Sequence, residues 1–291
     1  MDTKEKVAII IVLYNPSDED KQNILNISTF SEGIIVDNSP KPSFNAQNVN
    51  SLFYCWLKEN KGIAYAQNYG INCIIKDETY SHIMFLDQDS RINKDYIYGM
   101  VHEYQHLSTA KKNLALLGPL VINQDNQIEY KSLAKPNLAD ENGFIIKKNI
   151  ISSGSCINKN LIAKIGMPNA KLFIDYVDSE WCWRANHLGY ICGQTNKYRL
   201  SHHIGIKTIK IGNMQDIISS PTRYYYQYRN YLWLVRIEYV PKIWKIKNAI
   251  RLICRPFYLP IYSKSISTCY KNMFKGIFDG ITKFKKFKVH D

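Results

Sequence analysis

Two carboxylates close a short apolar run: Ile83-Met84-Phe85-Leu86 is followed by Asp87 and, two residues on, by Asp89. A run this short is wrong for a helix and right for a buried strand. Residues two apart on a strand point to the same face, so both carboxyls would stand together at the strand's end. That end is where open α/β sheets bind ligands. Carboxylates this close need a counter-charge. Hard cations such as Mg²⁺ or Mn²⁺ take oxygen ligands, and Mg²⁺ is usually held by one or two carboxylates plus substrate phosphates. The pair therefore fits a metal–nucleotide site. Taken alone it fits a solvated, helix-capping turn at least as well.

A second acidic group lies in Leu172–Arg184, where Asp175, Asp178 and Glu180 sit among Phe173, Tyr176, Trp181 and Trp183. A carboxylate among aromatic rings loses solvation, which raises its pKa towards general-base values. The plainer reading is an acidic first helical turn that complements the helix dipole. His202 and His203 follow. A histidine beside the aspartate pair could ligate a metal or donate to a diphosphate, although a lone histidine is more often a structural hydrogen-bonder.

The elements that must position these groups alternate. Val7–Tyr14 reads as a central parallel strand, and Asn15-Pro16-Ser17 ends it. Ser17 caps a helix reaching to about Phe30, with Asp18, Glu19 and Asp20 in its first turn. Strands are expected at 33–37, 52–57 and 83–87, with a helix at 62–76. A helix at 94–107 and strands at 114–122 and 127–133 follow, then weaker strands at 143–146 and 150–152. Residues 123–149 resemble a surface insertion. The remaining expectations are short helical residues 161–165, a helix from Asp178 to His187, and strands at 190–192 and 198–200. Such alternation predicts a doubly wound, mostly parallel, Rossmann-like α/β sheet. No Gly-x-Gly-x-x-Gly follows the first strand and no Walker-type Gly-Lys-Ser/Thr occurs, so the common phosphate cradles are missing. Tyr14, Asp37 and Asp87/Asp89 end three strands on one side. A ring that stacks on a base, a carboxylate for an imide N–H and a metal site for a diphosphate together describe a nucleoside-diphosphate pocket.

Charge is unevenly distributed. Residues 221–291 carry 15 Lys/Arg against 3 Asp/Glu, whereas the first 220 carry 23 against 22. The basic character thus belongs to a C-terminal extension, with 1–220 as the nucleotide-binding domain. In the extension Phe274, Ile277, Phe278, Ile281 and Phe284 share a helical stripe interleaved with lysines, as in helices that lie on anionic lipid. Pro241, Pro256 and Pro260 are expected to divide it into separate helices. Nucleic acid is not an expected partner, because no recognition-fold signature accompanies the charge. The 7 cysteines form no Cys-x-x-Cys pair and read as reduced thiols of a cytoplasmic protein.

Six stretches in order carry a resemblance: Val12–Pro16, Val36–Ser39, Glu59–Asn68, Leu86–Ser90, Phe173–Arg184 and His202–Gly205. The chain resembles inverting family 2 glycosyltransferases of the GT-A fold, and within them bacterial rhamnosyltransferases that build O-antigen and capsule chains. By that resemblance Tyr14 and Asp37 would bind the base. Asn60, Lys61 and Gly62 would form the loop beside base and ribose. Asp87 would contact the ribose, and Asp89 and His202 would hold Mg²⁺ or Mn²⁺. Asp178 would be the catalytic base, with Asp175 and Glu180 as alternatives, since Val177 stands where many relatives carry Glu. The implied activity is transfer of L-rhamnose from dTDP-rhamnose to an oligosaccharide acceptor, lipid-linked, at the inner face of the cell membrane. A UDP-hexose donor, or a non-catalytic nucleotide- or glycan-binding protein on the same fold, are the alternatives.

Overall fold

The computed structural model describes residues 6–45, 47–123, 138–202, 207–211, 214–263 and 265–284. The apolar run near the N-terminus forms β1 (Lys6–Leu13), buried along almost its whole length. It pairs in parallel with β2 (Glu32–Asp37) on one side and with β5 (Tyr80–Asp87) on the other. β2 pairs in parallel with β4 (Leu52–Trp56), whose edge carries the two-residue β3 (Asn48–Val49). Beyond β5 come β8 (Cys156–Asn158), β6 (Leu114–Asn123), β9 (Ile191–His202) and β7 (Phe144–Lys147). β8 runs antiparallel to both β5 and β6, which restores the direction of β1 in β6 and β9. Only β3, β8 and β7 oppose it, so the nine-stranded sheet is mostly parallel.

Alternation along β1 sends side chains to two cores. Val7, Ile9, Ile11 and Leu13 pack with Ile24 and Ile27 of α1 (Asp18–Ile27) and with Ile97 and Met100 of α3 (Lys94–Ala110). Ala8 and Ile10 face the opposite core, with Ala66 and Ile71 of α2 (Ile63–Ile74) and Trp181 and Ala185 of α5 (Val177–His187). Helices on both faces make the sheet doubly wound. The capping expected of Ser17 is present in both directions, its hydroxyl accepting from Asp20 N–H and the Asp20 carboxylate from Ser17 N–H. α4 (Ile162–Ile165) is a single turn between β8 and α5.

Three expectations differ from the observed chain. Tyr190–Cys192 and Tyr198–Leu200 belong to one twelve-residue strand, β9, because the polar stretch between them still pairs with β7 and β6. Residues 150–152 are irregular; the chain meets β5 only just beyond them, where Gly154 N–H donates to Phe85 O and Phe85 N–H to Ser155 O around a turn closed by Ser155 N–H to Ser152 O. Pro256 and Pro260 do not end a helix but lie inside α7 (Lys242–Tyr262). Each ring strands the carbonyl four residues earlier. The Tyr228 hydroxyl donates to Leu252 O at 2.6 Å and the Tyr270 hydroxyl to Pro256 O at 2.7 Å, so both stranded carbonyls are satisfied. The expected strand at 127–133 lies outside the described residues.

The C-terminal helices are α6 (Pro221–Leu234), α7 and α8 (Ile266–Thr282), preceded by a hairpin of β10 (Lys207–Ile211) and β11 (Met214–Ile218). α8 lies close on α6, where a Cβ on Gly276 would come within 2.4 Å of Tyr225 O.

Candidate active site

A cleft of about 660 Å³ opens along the C-terminal ends of the parallel strands. The end of β1 supplies Val12 to Tyr14, and the end of β5 supplies Asp87, Gln88 and Asp89. The two strands are in register here, with Val12 opposite Asp87. Gln88 Oε1 accepts the Tyr14 N–H at 2.8 Å, and the Tyr14 ring stands 48% exposed. Asn60 and Gly62 wall one side, Ile151–Ser153 the floor, and Phe173–Asp178 the far side.

The loop before α2 is held by one asparagine. Asn38 donates to Gly62 O at 3.0 Å and accepts from Lys61 N–H at 2.9 Å, while Asn60 accepts from Gly62 N–H at 2.9 Å. Gly62 has φ +88°, and a Cβ there would lie 2.5 Å from Phe173 O. That contact brings the loop against the second acidic segment, where Ile63 N–H donates to Phe173 O at 2.8 Å. Lys61 itself turns outward, pairing with Glu59 at 3.2 Å and lying over the Tyr65 ring.

The acidic groups separate by environment. Burial first, then the charges of Asp89 and Asp178, push the Asp87 carboxyl up to about 7. Asp89, two residues on, and Asp178, from a distant part of the chain, thus both act on Asp87 in this cleft. Asp175 also lines it but is held by Arg223 of α6, at 2.6 Å and 3.2 Å. Glu180 points away: it is fully buried and bonded to Arg184 and to the Tyr239 hydroxyl. Asp37 sits behind the cleft with no exposed surface. It accepts from Ser39 N–H, Ser43 N–H and the Tyr54 hydroxyl. Burial would raise it, but these hydrogen bonds prevail and hold its carboxyl below the usual range. His202 ends β9, opposite Asn123, and its side chain lies outside the described residues.

Several contributors carried no sequence signal. Arg223 and Tyr226 come from α6, whose first turn walls the cleft with Ser220 and Thr222. Tyr226 stacks on Phe173, with centroids 4.5 Å apart and planes at 4°. Asn230 of α6 donates to Leu172 O, Ile174 O and Asp175 O, and Arg229 donates to Lys171 O and Leu172 O. This scaffold holds Phe173, Asp175 and Tyr176 at φ of 66°, 64° and 66°.

Among the described residues no three His, Cys, Asp or Glu side chains form a ready-made metal cage. The cleft nevertheless suits a cation. Among the described residues its lining has four carboxylates and one cation, Arg223, already committed to Asp175. A site built this way repels a diphosphate unless positive charge comes with it.

Over 83% of its length the sequence is 31% identical to 83% of the dTDP-rhamnosyl transferase RfbF of Shigella flexneri. The chain belongs to the glycosyltransferases. No family model matches the sequence. Among solved structures, TarS of S. aureus (residues 1–349) superposes at a TM-score of 0.52 and 11% identity, covering 96% of this chain and 81% of that one. GalNAc-T7, solved with UDP, GalNAc and Mn²⁺, superposes at 0.57 and 13% identity, over 96% of this chain and 58% of that one. These neighbours identify the fold of this glycosyltransferase as GT-A. In its frame, the cleft at the strand ends is the place for a nucleotide-sugar donor.

Proposed function

We propose that the enzyme transfers L-rhamnose from dTDP-rhamnose, with inversion, to a hydroxyl of a lipid-linked O-antigen or capsule precursor at the inner face of the cell membrane. The observation that carries this reading is the convergence of Asp87, Asp89 and Asp178 on one cleft. The donor assignment is supported by the name of the Shigella relative.

The exposed Tyr14 ring stacks on the base. Asp37, expected to bind the base directly, has no exposed surface and both oxygens bonded, so it acts from behind by fixing the 38–43 turn. Asn60, Lys61 and Gly62 form the backbone wall beside base and ribose. Asp87 meets the ribose. Asp89, with His202, would hold Mg²⁺ or Mn²⁺, whose charge would offset that of the departing diphosphate. Asp178 takes the proton from the acceptor hydroxyl. The hydroxyl oxygen bonds to C1 as the C1–phosphate oxygen bond breaks on the opposite face, so no covalent protein intermediate forms. Asp175 is a weaker candidate for the base because both its oxygens are bonded to Arg223, and Glu180 cannot reach the cleft. Residues 1–220 supply the donor half of the site, and the extension from 221 closes it with α6.

The test is donor hydrolysis by the purified chain across dTDP-rhamnose, UDP-glucose and UDP-N-acetylglucosamine, with Mn²⁺, Mg²⁺ or EDTA. Cation-dependent cleavage of dTDP-rhamnose is the expected outcome. Preferential cleavage of a UDP-hexose would reassign the donor. Absence of both cleavage and nucleotide binding would favour a non-catalytic protein.

A further inference from the structure

α7 exposes apolar side chains that the catalytic reading does not use. Ile243, Ile246, Ile250, Ile253, Phe257 and Ile261 are 65, 61, 54, 67, 81 and 76% exposed. They recur every three or four residues, which puts them on one face of the helix. At 1.5 Å per residue the ridge is roughly 27 Å long. The opposite face is fully committed, with Leu252, Tyr258 and Leu259 in a core shared with Tyr224 and Tyr228 of α6. α8 adds Phe274, Phe278 and Ile281, at 70, 64 and 58% exposure. A contiguous apolar surface on this scale marks a docking surface.

Its charge selects the partner. From Pro241 to Lys283 the one acid is Asp279, which is buried and bonded to Tyr225 and Lys283. Lys242, Lys247, Lys271 and Lys275 are exposed on the same two helices, and Lys283 just past the end of α8. A second copy of the chain would set ridge on ridge and lysine against lysine. Among the described residues no helix is long and apolar enough to cross a bilayer.

We propose that the α7 ridge docks on an anionic lipid bilayer. The helix lies in the plane of the headgroups, with its isoleucines and Phe257 at the acyl boundary and its lysines among the phosphates. The helix that would lie on lipid is bonded directly to the catalytic segment. Arg251 Nη2 donates to the Tyr176 hydroxyl at 3.1 Å, and Arg255 bonds Gln227, which reaches Asp175. Docking therefore fixes the height of the cleft above the headgroups. The proposal is independent of the donor and acceptor assigned above.

Flotation of the full chain with vesicles tests it, comparing phosphatidylglycerol mixed equally with phosphatidylcholine against phosphatidylcholine alone. The chain is expected to float with the anionic vesicles and less with the neutral ones. The double substitution Ile253→Asp/Phe257→Asp alters two exposed positions and is expected to lower partitioning at least about tenfold, with the melting temperature unchanged. Lys242→Gln/Lys247→Gln, which keeps the ridge, should bring anionic binding down towards the neutral level. Failure of the unmodified chain to float, or equal flotation of the Asp variant, overturns the proposal. So does a wild-type dimer that the Asp substitutions dissociate without any vesicle binding, since the ridge would then be a self-interface.

Discussion

Arg184 grips both carboxylate oxygens of Glu180, Nε at 2.8 Å from Oε1 and Nη2 at 3.0 Å from Oε2, one turn apart on α5. The same guanidinium donates to Ile165 O and Met167 O, and Tyr239 donates to Glu180 Oε1 at 2.6 Å. The pair sets the direction in which α5 leaves the cleft, and so the position of Asp178 at its start. Removing one partner of a buried pair strands the other charge. Glu180→Ala is expected to lose about 3–5 kcal/mol in denaturant unfolding. A variant that keeps full stability but loses transfer would make Glu180 a reacting group instead.

Asp178→Asn should behave in the opposite way. Transfer to acceptor should fall by about 10²–10⁴-fold, the usual worth of a general base, with dTDP affinity and stability close to wild type. Calorimetric binding of dTDP separates the outcomes: loss of nucleotide binding would move Asp178 into the donor site.

Gly62→Ala tests the join between the loop before α2 and the acidic segment. The new methyl meets Phe173 O in a backbone conformation with φ +88°, so both cannot stay in place. The expected result is a lower melting temperature together with weaker nucleotide binding. Unchanged binding would mean that the loop does not shape the donor pocket.

Asp87 predicts a linkage between pH and cation. Its folded pKa of about 7 exceeds the unfolded value of roughly 4. Between those values the folded chain binds the extra proton, so this contribution to stability is present below about 4 and is lost as pH rises through about 7. EDTA-treated protein should lose melting temperature from pH 6 to pH 8 through this group. Mn²⁺ held at Asp89 should restore more at pH 8 than at pH 6, because the neighbouring Asp87 carboxylate is then charged and adds to the attraction. An equal or larger gain at pH 6 would show that the cation does not sit beside Asp87.

The parallel half of the sheet was legible because strands buried on both faces read as unbroken apolar runs, as Val7–Leu13 and Ile83–Leu86 do. The strand-end carboxylates were legible for the same reason: polarity returns abruptly where the run stops. β9 was read as two strands because its polar centre carries the pattern of a turn, and only its neighbours β6 and β7 make it continuous. Arg223 was invisible as a site residue. Its partner Asp175 lies 48 positions away, and no local spacing encodes such a meeting. The prolines of α7 misled because the tyrosine hydroxyls that satisfy the stranded carbonyls come from elsewhere in the chain, Tyr228 from α6 and Tyr270 from α8.

Three side-chain-bearing residues in four, Phe173, Asp175 and Tyr176, occupy the left-handed region, where each costs of the order of 1 kcal/mol or more. Local turn bonds such as Ile174 N–H to Leu172 O at 2.8 Å are joined by side-chain donors from Arg229 and Asn230, one turn further along α6 than the cleft. The segment on the far side of the cleft is thus held like a sprung catch whose latch is a separate helix. Warming that loosens α6 alone would let residues 173–176 relax to ordinary backbone angles, so that activity fades, and returns on cooling, at temperatures where the sheet is still intact.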